Sequence, residues 1–162
     1  MAAVATHHRR PREGGDRCIP VRGARLVIAF FDASALIYLL QAREPFASRA
    51  RAGLQALHTA YPGMASAVSR LSWLECRTGP LKSNDSAALA VFDTFFARAD
   101  LIWVELSREV VELATAIRAR HGLRTPDALH AASCLQLGPH HRLLTGDAAF
   151  QRVHGLNVML LA

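Results

Sequence analysis

Leu26-Val-Ile-Ala-Phe-Phe-Asp32 is a short run of apolar residues that ends in a carboxylate, and it decides the fold. A run of this length without a polar position is typical of a strand buried on both faces of a parallel sheet. Residues 34–40 are predicted to be helical, so Asp32 lies between a strand and a helix. Open α/β sheets bind their ligands at the carboxyl ends of strands, which makes Asp32 a candidate site residue.

The rest of the chain repeats this alternation of strand and helix. Further strands are predicted at 64–68, 101–105, 141–145 and 157–161. Further helices are predicted at 46–58, 69–80, 84–97, 107–121 and from 125 onward. Such alternation indicates an α/β fold of three layers, α/β/α, in which a mainly parallel central sheet carries helices on both faces.

Two helix boundaries are predicted from local signals. The helix from Ser69 is expected to end near Gly79-Pro80, because this pair interrupts helices. Thr125-Pro126-Asp127 has the form of a helix start, with Thr125 as the N-cap, Pro126 at the first helical position and Asp127 in the first turn. Asp127 therefore has a defined place at a helix N-terminus.

Composition predicts one folded domain preceded by a basic tail. The 162 residues are 51% hydrophobic and 20% charged, which is enough apolar content for one sizeable core. Residues 1–25 contain six arginines against two acids and supply +4 of the net charge of +6. We expect 1–25 to be a mobile tail or a mis-assigned start, and 26–162 to form the domain. The basic balance favours a nucleic-acid partner moderately.

Cysteine usage and hydropathy favour the cytoplasm. Cys18, Cys76 and Cys134 form no Cys-x-x-Cys pair, which fits a reducing compartment. Residues 26–40 resemble the apolar part of a signal peptide, but Asp32 interrupts them, and a central carboxylate costs about 3 kcal/mol on insertion scales. We expect a cytoplasmic protein without a membrane partner.

Four carboxylates stand beside apolar runs, where an unpaired charge is costly to bury. They are Asp32, Glu75, Asp127 and Asp147. If the fold gathers them, their mutual repulsion requires a counter-charge. Oxygen ligands without a Cys or His cluster favour Mg²⁺ or Mn²⁺ over zinc. The sequence therefore suggests metal-dependent phosphoryl chemistry.

Each acid also has a purely structural alternative. Asp32 and Asp147 could cap the helices that follow them, and Asp127 could be a first-turn partner of the helix dipole. Glu75 could form a surface ion pair with Arg77.

Four segments carry a family resemblance: Phe31-Asp-Ala-Ser-Ala-Leu-Ile37, Leu74-Glu75, Arg124-Thr-Pro-Asp-Ala-Leu-His-Ala-Ala132 and Leu144-Thr-Gly-Asp-Ala-Ala-Phe150. In order, spacing and flanking residues they closely resemble the PIN-domain ribonucleases, and among these the VapC toxins of bacterial toxin–antitoxin pairs. The resemblance implies a Mg²⁺- or Mn²⁺-dependent endoribonuclease, usually a homodimer, that leaves a 5′-phosphate and a 3′-hydroxyl. It also implies a VapB-like antitoxin that enters the acidic groove, and DNA binding only through the complex with that antitoxin.

The resemblance assigns catalysis to all four acids. Asp32, Asp127 and Asp147 would bind the metal, and Glu75 would either bind it or orient a water on it. Ser34 and Thr145 are candidates for hydroxyls that hydrogen-bond to these ligands.

Other side chains near the acids have weaker assignments. Arg77 and Arg124 would contact RNA phosphates, although solvation at helix ends explains them equally well. His130, one helical turn after Asp127, is expected to pack near the site rather than bind metal.

Competing functions fit less well. A haloacid-dehalogenase-like phosphatase needs a second carboxylate two residues after Asp32, where this chain has Ser34. A response-regulator receiver needs adjacent acids and a late lysine, whereas the only lysine is Lys82. A non-catalytic PIN-like domain that binds RNA or a partner, and a stand-alone RNA-processing nuclease without an antitoxin, remain open alternatives.

Overall fold

The computed structural model describes residues 26–42 and 44–161. The prediction of a tail over 1–25 lies outside the described residues. Within them, no helix is both long enough and apolar enough to span a lipid bilayer.

The sheet has five strands, and every described pairing is parallel. The strands are β1 (Ile28–Phe31), β2 (Ala65–Ser69), β3 (Leu101–Val104), β4 (His141–Thr145) and β5 (Val158–Leu160). Their spatial order is β3-β2-β1-β4-β5, so the apolar run that ends at Asp32 is the central strand. The predicted parallel sheet is confirmed.

Helices connect the strands. They are α1 (Ala33–Leu40), α2 (Phe46–Ala60), α3 (Arg70–Ser83), α4 (Ser86–Phe96), α5 (Arg108–His121) and α6 (Thr125–Leu135), with a 3₁₀ turn at Ala148–Arg152. In order and approximate length they follow the predicted pattern.

The core lies on both faces of the sheet. Phe31 of β1 packs with Leu36 of α1 and Phe92 of α4, whereas Phe30 faces the opposite side, toward α5 and α6. Neighbouring strand residues point to opposite faces, so one apolar strand supplies both halves of the core. The three-layer α/β/α arrangement is therefore confirmed.

Two predicted helix boundaries are wrong. Helix α3 does not end at Gly79-Pro80 but continues to Ser83 with Pro80 inside it, and it ends where Asn84 takes a left-handed conformation (φ 52°). Pro80 is buried, and this packing outweighs the hydrogen bond that a proline cannot donate. The N-cap of α6 is Arg124 rather than Thr125: the backbone of Arg124 is extended (φ −65°, ψ 157°) and Thr125 is already helical, with its hydroxyl accepting a hydrogen bond from Arg118.

Candidate metal centre

Asp32 is a buried carboxylate at the carboxyl end of the central strand. Only 4% of the residue is exposed. Its Oδ1 accepts from the Ala35 N–H and the Ser34 hydroxyl, each over 2.8 Å, and its Oδ2 accepts from the Thr145 hydroxyl over 2.5 Å. Burial raises the pKa of Asp32 above its usual range, and these hydrogen bonds oppose the rise. No described cationic side chain forms an ion pair with it.

Two hydroxyls join Asp32 to the loop after β4. The Thr145 hydroxyl accepts from the Asp147 N–H over 3.0 Å, and the Ser34 hydroxyl accepts from the Gly146 N–H over 2.8 Å. Because β1 and β4 are parallel neighbours, their carboxyl ends meet at one edge of the sheet. Asp32 and Asp147 therefore leave the sheet side by side. The structure places Ser34 and Thr145 where the sequence predicted them, and their effect on a metal stays a prediction.

Close packing makes glycine necessary between β4 and Asp147. A Cβ on Gly146 would overlap the ring of Tyr38 on α1, at 2.8 Å from its hydroxyl oxygen and 2.9 Å from Cζ. The absence of a side chain at 146 therefore lets the loop approach α1 closely enough for the Ser34 hydrogen bond.

Arg124 brings Asp127 and Asp147 together. Its Nε lies 2.8 Å from Asp127 Oδ2, and its Nη2 lies 3.8 Å from Asp147 Oδ2. The Asp127 side chain is only 14% exposed, whereas that of Arg124 is 78% exposed. The hydrogen bond to Asp127 is the main reason that the pKa of Arg124 is raised. An exposed cation of the chain thus lies between two of the four acids.

Glu75 reaches the site from α3 through His130 of α6. Glu75 Oε2 lies 2.8 Å from His130 Nε2. The structural alternative that paired Glu75 with Arg77 is wrong. Arg77 pairs instead with Asp93 of α4 and lies over the ring of Trp73 at 4.6 Å. With its side chain only 18% exposed, Arg77 has little surface left for RNA.

The other structural alternatives describe real contacts. Asp32 caps α1, Asp147 caps the 3₁₀ turn through the Ala149 N–H, and Asp127 pairs with Arg124 in the first turn of α6. An exposed cap would serve α1 as well as a buried one. Capping therefore does not explain why Asp32 is buried, given the free-energy cost of burying its carboxylate.

The donor atoms suit a hard divalent cation. Every acid offers carboxylate oxygens, which are the ligands that Mg²⁺ and Mn²⁺ prefer. Within the described residues, no three side chains of His, Cys, Asp or Glu form a ready metal cage. Asp127 and Asp147 are instead paired with Arg124, and Glu75 is paired with His130. Arg124 must therefore turn away from Asp127 for a metal to bind.

Sequence reasoning missed two features of this site. The link from His130 to Glu75 spans 55 positions of the chain. Only the spacing of His130 from Asp127 hinted at it, since residues three apart on a helix share a face. No feature of the sequence other than the glycine itself indicated the contact between Gly146 and Tyr38.

The chain is similar to one protein family and to several solved structures. A family model described as PIN domain matches residues 29–156. Among solved structures, VapBC2 from Rickettsia felis, bound to a DNA fragment from its promoter, has 17% identity and a TM-score of 0.66. A toxin–antitoxin complex from Klebsiella pneumoniae has 26% identity and a TM-score of 0.60. VapBC-1 from nontypeable Haemophilus influenzae has 17% identity and a TM-score of 0.63.

The three structural matches have the same extent. Each covers 83% of this chain and 98% of the other chain. The two matches at 17% identity support the fold. A search of curated proteins finds no match.

Proposed function

The chain belongs to the PIN domain family, and from this premise we propose that it is a Mg²⁺- or Mn²⁺-dependent endoribonuclease. Asp32, Asp127 and Asp147 would hold the metal, and Glu75 would either bind it or orient a water on it. The observation that carries this proposal is the buried Asp32, which shares the Thr145 hydroxyl with the backbone of Asp147 at the carboxyl ends of adjacent parallel strands.

The chain's own residues supply the positioning. When bound, a divalent ion provides the positive charge that polarises a phosphodiester and activates water for in-line attack. The Ser34 and Thr145 hydroxyls orient the Asp32 carboxylate. This orientation favours one direction from which a metal ion would approach Asp32. With water rather than the ribose 2′-hydroxyl as nucleophile, the products carry a 5′-phosphate and a 3′-hydroxyl.

Arg124 is the better of the two proposed RNA contacts. It is exposed and stands at the acids, so once it leaves Asp127 its guanidinium can bind a backbone phosphate beside the metal. Arg77 keeps its proposed role only if RNA displaces it from Asp93.

Cleavage of RNA with matched aspartate variants tests the nuclease. Purified protein is incubated with total RNA of the source cell in Mg²⁺, in Mn²⁺ or in EDTA, and new 5′ ends are mapped. We expect discrete cuts with 5′-phosphates, lost in EDTA and in the Asp32→Asn and Asp127→Asn variants. Asp100→Asn is the control, because Asp100 is exposed and pairs with Arg98 away from the site. Equal cutting by the wild type and Asp32→Asn would overturn the proposal.

We further propose that the protein is the toxin of a VapBC-type pair. The support is the PIN domain together with neighbours that are toxin–antitoxin complexes, of which the Klebsiella pneumoniae complex is 26% identical. A VapB-like antitoxin would silence the site, a homodimer would form, and DNA would be bound only through the complex with the antitoxin. This role places the protein in the cytoplasm, where its RNA is found.

The neighbouring gene tests the toxin role. Expression of the protein alone is expected to arrest growth. Co-expression with a small adjacent reading frame that encodes a DNA-binding N-terminus is expected to yield a stable complex and to restore growth. Growth arrest that this partner does not relieve would favour a stand-alone nuclease. Light scattering of the purified chain measures its molar mass and so tests the proposed homodimer.

A further inference from the structure

We infer that His130 is a positioning residue that holds the Glu75 carboxylate at the metal centre, an inference that rests on the proposed function. His130 lies on α6 one turn after Asp127, and it reaches across to Glu75 on α3. It is buried, whereas Glu75 is partly exposed.

Both ring nitrogens of His130 have hydrogen-bond partners. Nε2 is 2.8 Å from Glu75 Oε2, and Nδ1 is 3.4 Å from the Ser69 Oγ. The N–H at Nε2 donates to the Glu75 carboxylate, and Nδ1 is paired with the Ser69 hydroxyl. Both nitrogens are used, and the ring is fixed in one orientation.

The same network continues to the strand that carries Asp32. The Ser69 hydroxyl accepts from the Ser72 N–H over 3.2 Å, and the Ser72 hydroxyl donates to the Phe31 carbonyl over 3.1 Å. That carbonyl belongs to the peptide bond that joins Phe31 to Asp32. Because Ser69, Ser72 and His130 are buried, water does not compete for these bonds. One chain of hydrogen bonds therefore fixes Glu75 relative to Asp32.

This arrangement restricts a flexible side chain. An unrestrained glutamate loses rotamer entropy when it is fixed. The bond from His130 fixes Oε2 before any metal arrives, and Oε1 has no hydrogen-bond partner among the described residues. Partners that orient the ligands of a metal in this way change its affinity by about 10–100-fold when they are removed.

A second buried histidine provides the contrast. His141 bonds to the Gly138 carbonyl over 2.6 Å and accepts from the Asn157 N–H over 3.0 Å. It stands at the start of β4, the end opposite to Asp147, and within the described residues its ring hydrogen-bonds only to backbone groups. It is a structural histidine of similar burial and serves as the matched control.

Two amide substitutions separate positioning from packing. In His130→Gln the amide nitrogen reaches the place of Nε2 and can still donate to Glu75. In His130→Asn the amide reaches only the place of Nδ1 and bonds to Ser69 instead. A residue that only fills space would also tolerate His130→Gln better than the shorter His130→Asn, but the loss would then appear in stability and would not depend on Glu75. Metal affinity, with and without Glu75, is therefore the readout that separates the two roles.

The measurement is Mn²⁺ binding to the metal-free protein, followed by the EPR signal of free Mn²⁺. We expect His130→Asn to weaken binding by about 10–100-fold, with His130→Gln close to the wild type. His141→Gln is expected to bind Mn²⁺ like the wild type even if its melting temperature falls. In RNA cleavage, His130→Asn should lower kcat and leave KM unchanged.

A double-mutant cycle identifies Glu75 as the target. In a Glu75→Gln background, His130→Asn should add little further loss of Mn²⁺ affinity, because the bond that it removes no longer holds a carboxylate. Equal affinities of the Asn and Gln variants, or additive losses in the cycle, would overturn the inference. If the wild type itself binds no Mn²⁺, it is the proposed function that fails.

Discussion

Replacing Thr145 by valine tests the hydrogen bonds that hold Asp32 beside Asp147. The buried Thr145 hydroxyl donates to Asp32 Oδ2 and accepts from the Asp147 N–H. Valine fills nearly the same volume but makes neither bond, whereas serine keeps the hydroxyl and loses one methyl group. The pair Thr145→Val and Thr145→Ser therefore separates hydrogen bonding from packing.

The two substitutions differ in expected cost. A buried polar group that loses its partner costs about 1–3 kcal/mol, more when it is charged, and Thr145→Val leaves the buried Asp32 Oδ2 and the partly buried Asp147 N–H without theirs, for a loss of about 2–4 kcal/mol. Thr145→Ser loses about 1 kcal/mol for its methyl group, plus a small cavity. We expect the valine variant to be less stable than the serine variant by at least about 1 kcal/mol.

Urea unfolding in EDTA at pH 7 measures this difference. With a slope of about 2 kcal/mol per molar urea, a difference of about 1 kcal/mol moves the midpoint by about 0.5 M. A valine variant as stable as the serine variant would refute the claim that this hydroxyl joins Asp32 to the Asp147 loop.

Three further predictions concern Asp32, Gly146 and the two buried cysteines. Burial raises the pKa of Asp32 in the folded state, so its ionised form costs stability above that pKa; without metal, the free energy of unfolding of the wild type should fall relative to that of Asp32→Asn as the pH rises from about 4 to 8. A difference between the two urea midpoints that stays constant over this pH range would contradict the raised pKa. Gly146→Ala should lose about 1–3 kcal/mol against Tyr38, whereas Gly63→Ala, whose Cβ meets nothing within 4 Å, should not; equal urea midpoints would disprove the clash. Cys76 and Cys134 are buried with raised thiol pKa values, so a Cys18→Ser variant should not react with Ellman's reagent until it is unfolded, and rapid native labelling would contradict their burial.

The sheet and the placement of Asp32 were predictable because their signals are local. The run before Asp32 is apolar at every position, and this alone indicates a central strand with a carboxylate at its end. The connections between successive strands then favour parallel pairing, since each is long enough to return the chain to the same end of the sheet.

The errors came from tertiary contacts that override local signals. Burial of Pro80 carries α3 past a pair that usually ends a helix, and the Thr125 hydroxyl bonds to Arg118 of α5 while the cap position of α6 falls on Arg124. Arg77 pairs with Asp93 of another helix rather than with its close neighbour Glu75. No spacing rule reports such contacts.

Diffraction from crystals grown with Mn²⁺, measured at the manganese absorption edge, tests the metal centre most directly. We expect an anomalous peak in contact with carboxylate oxygens of Asp32, Asp127 and Asp147, with Arg124 turned away from Asp127. A peak elsewhere, or none at these acids while Arg124 stays paired with Asp127, would contradict the proposal that these residues form a metal centre.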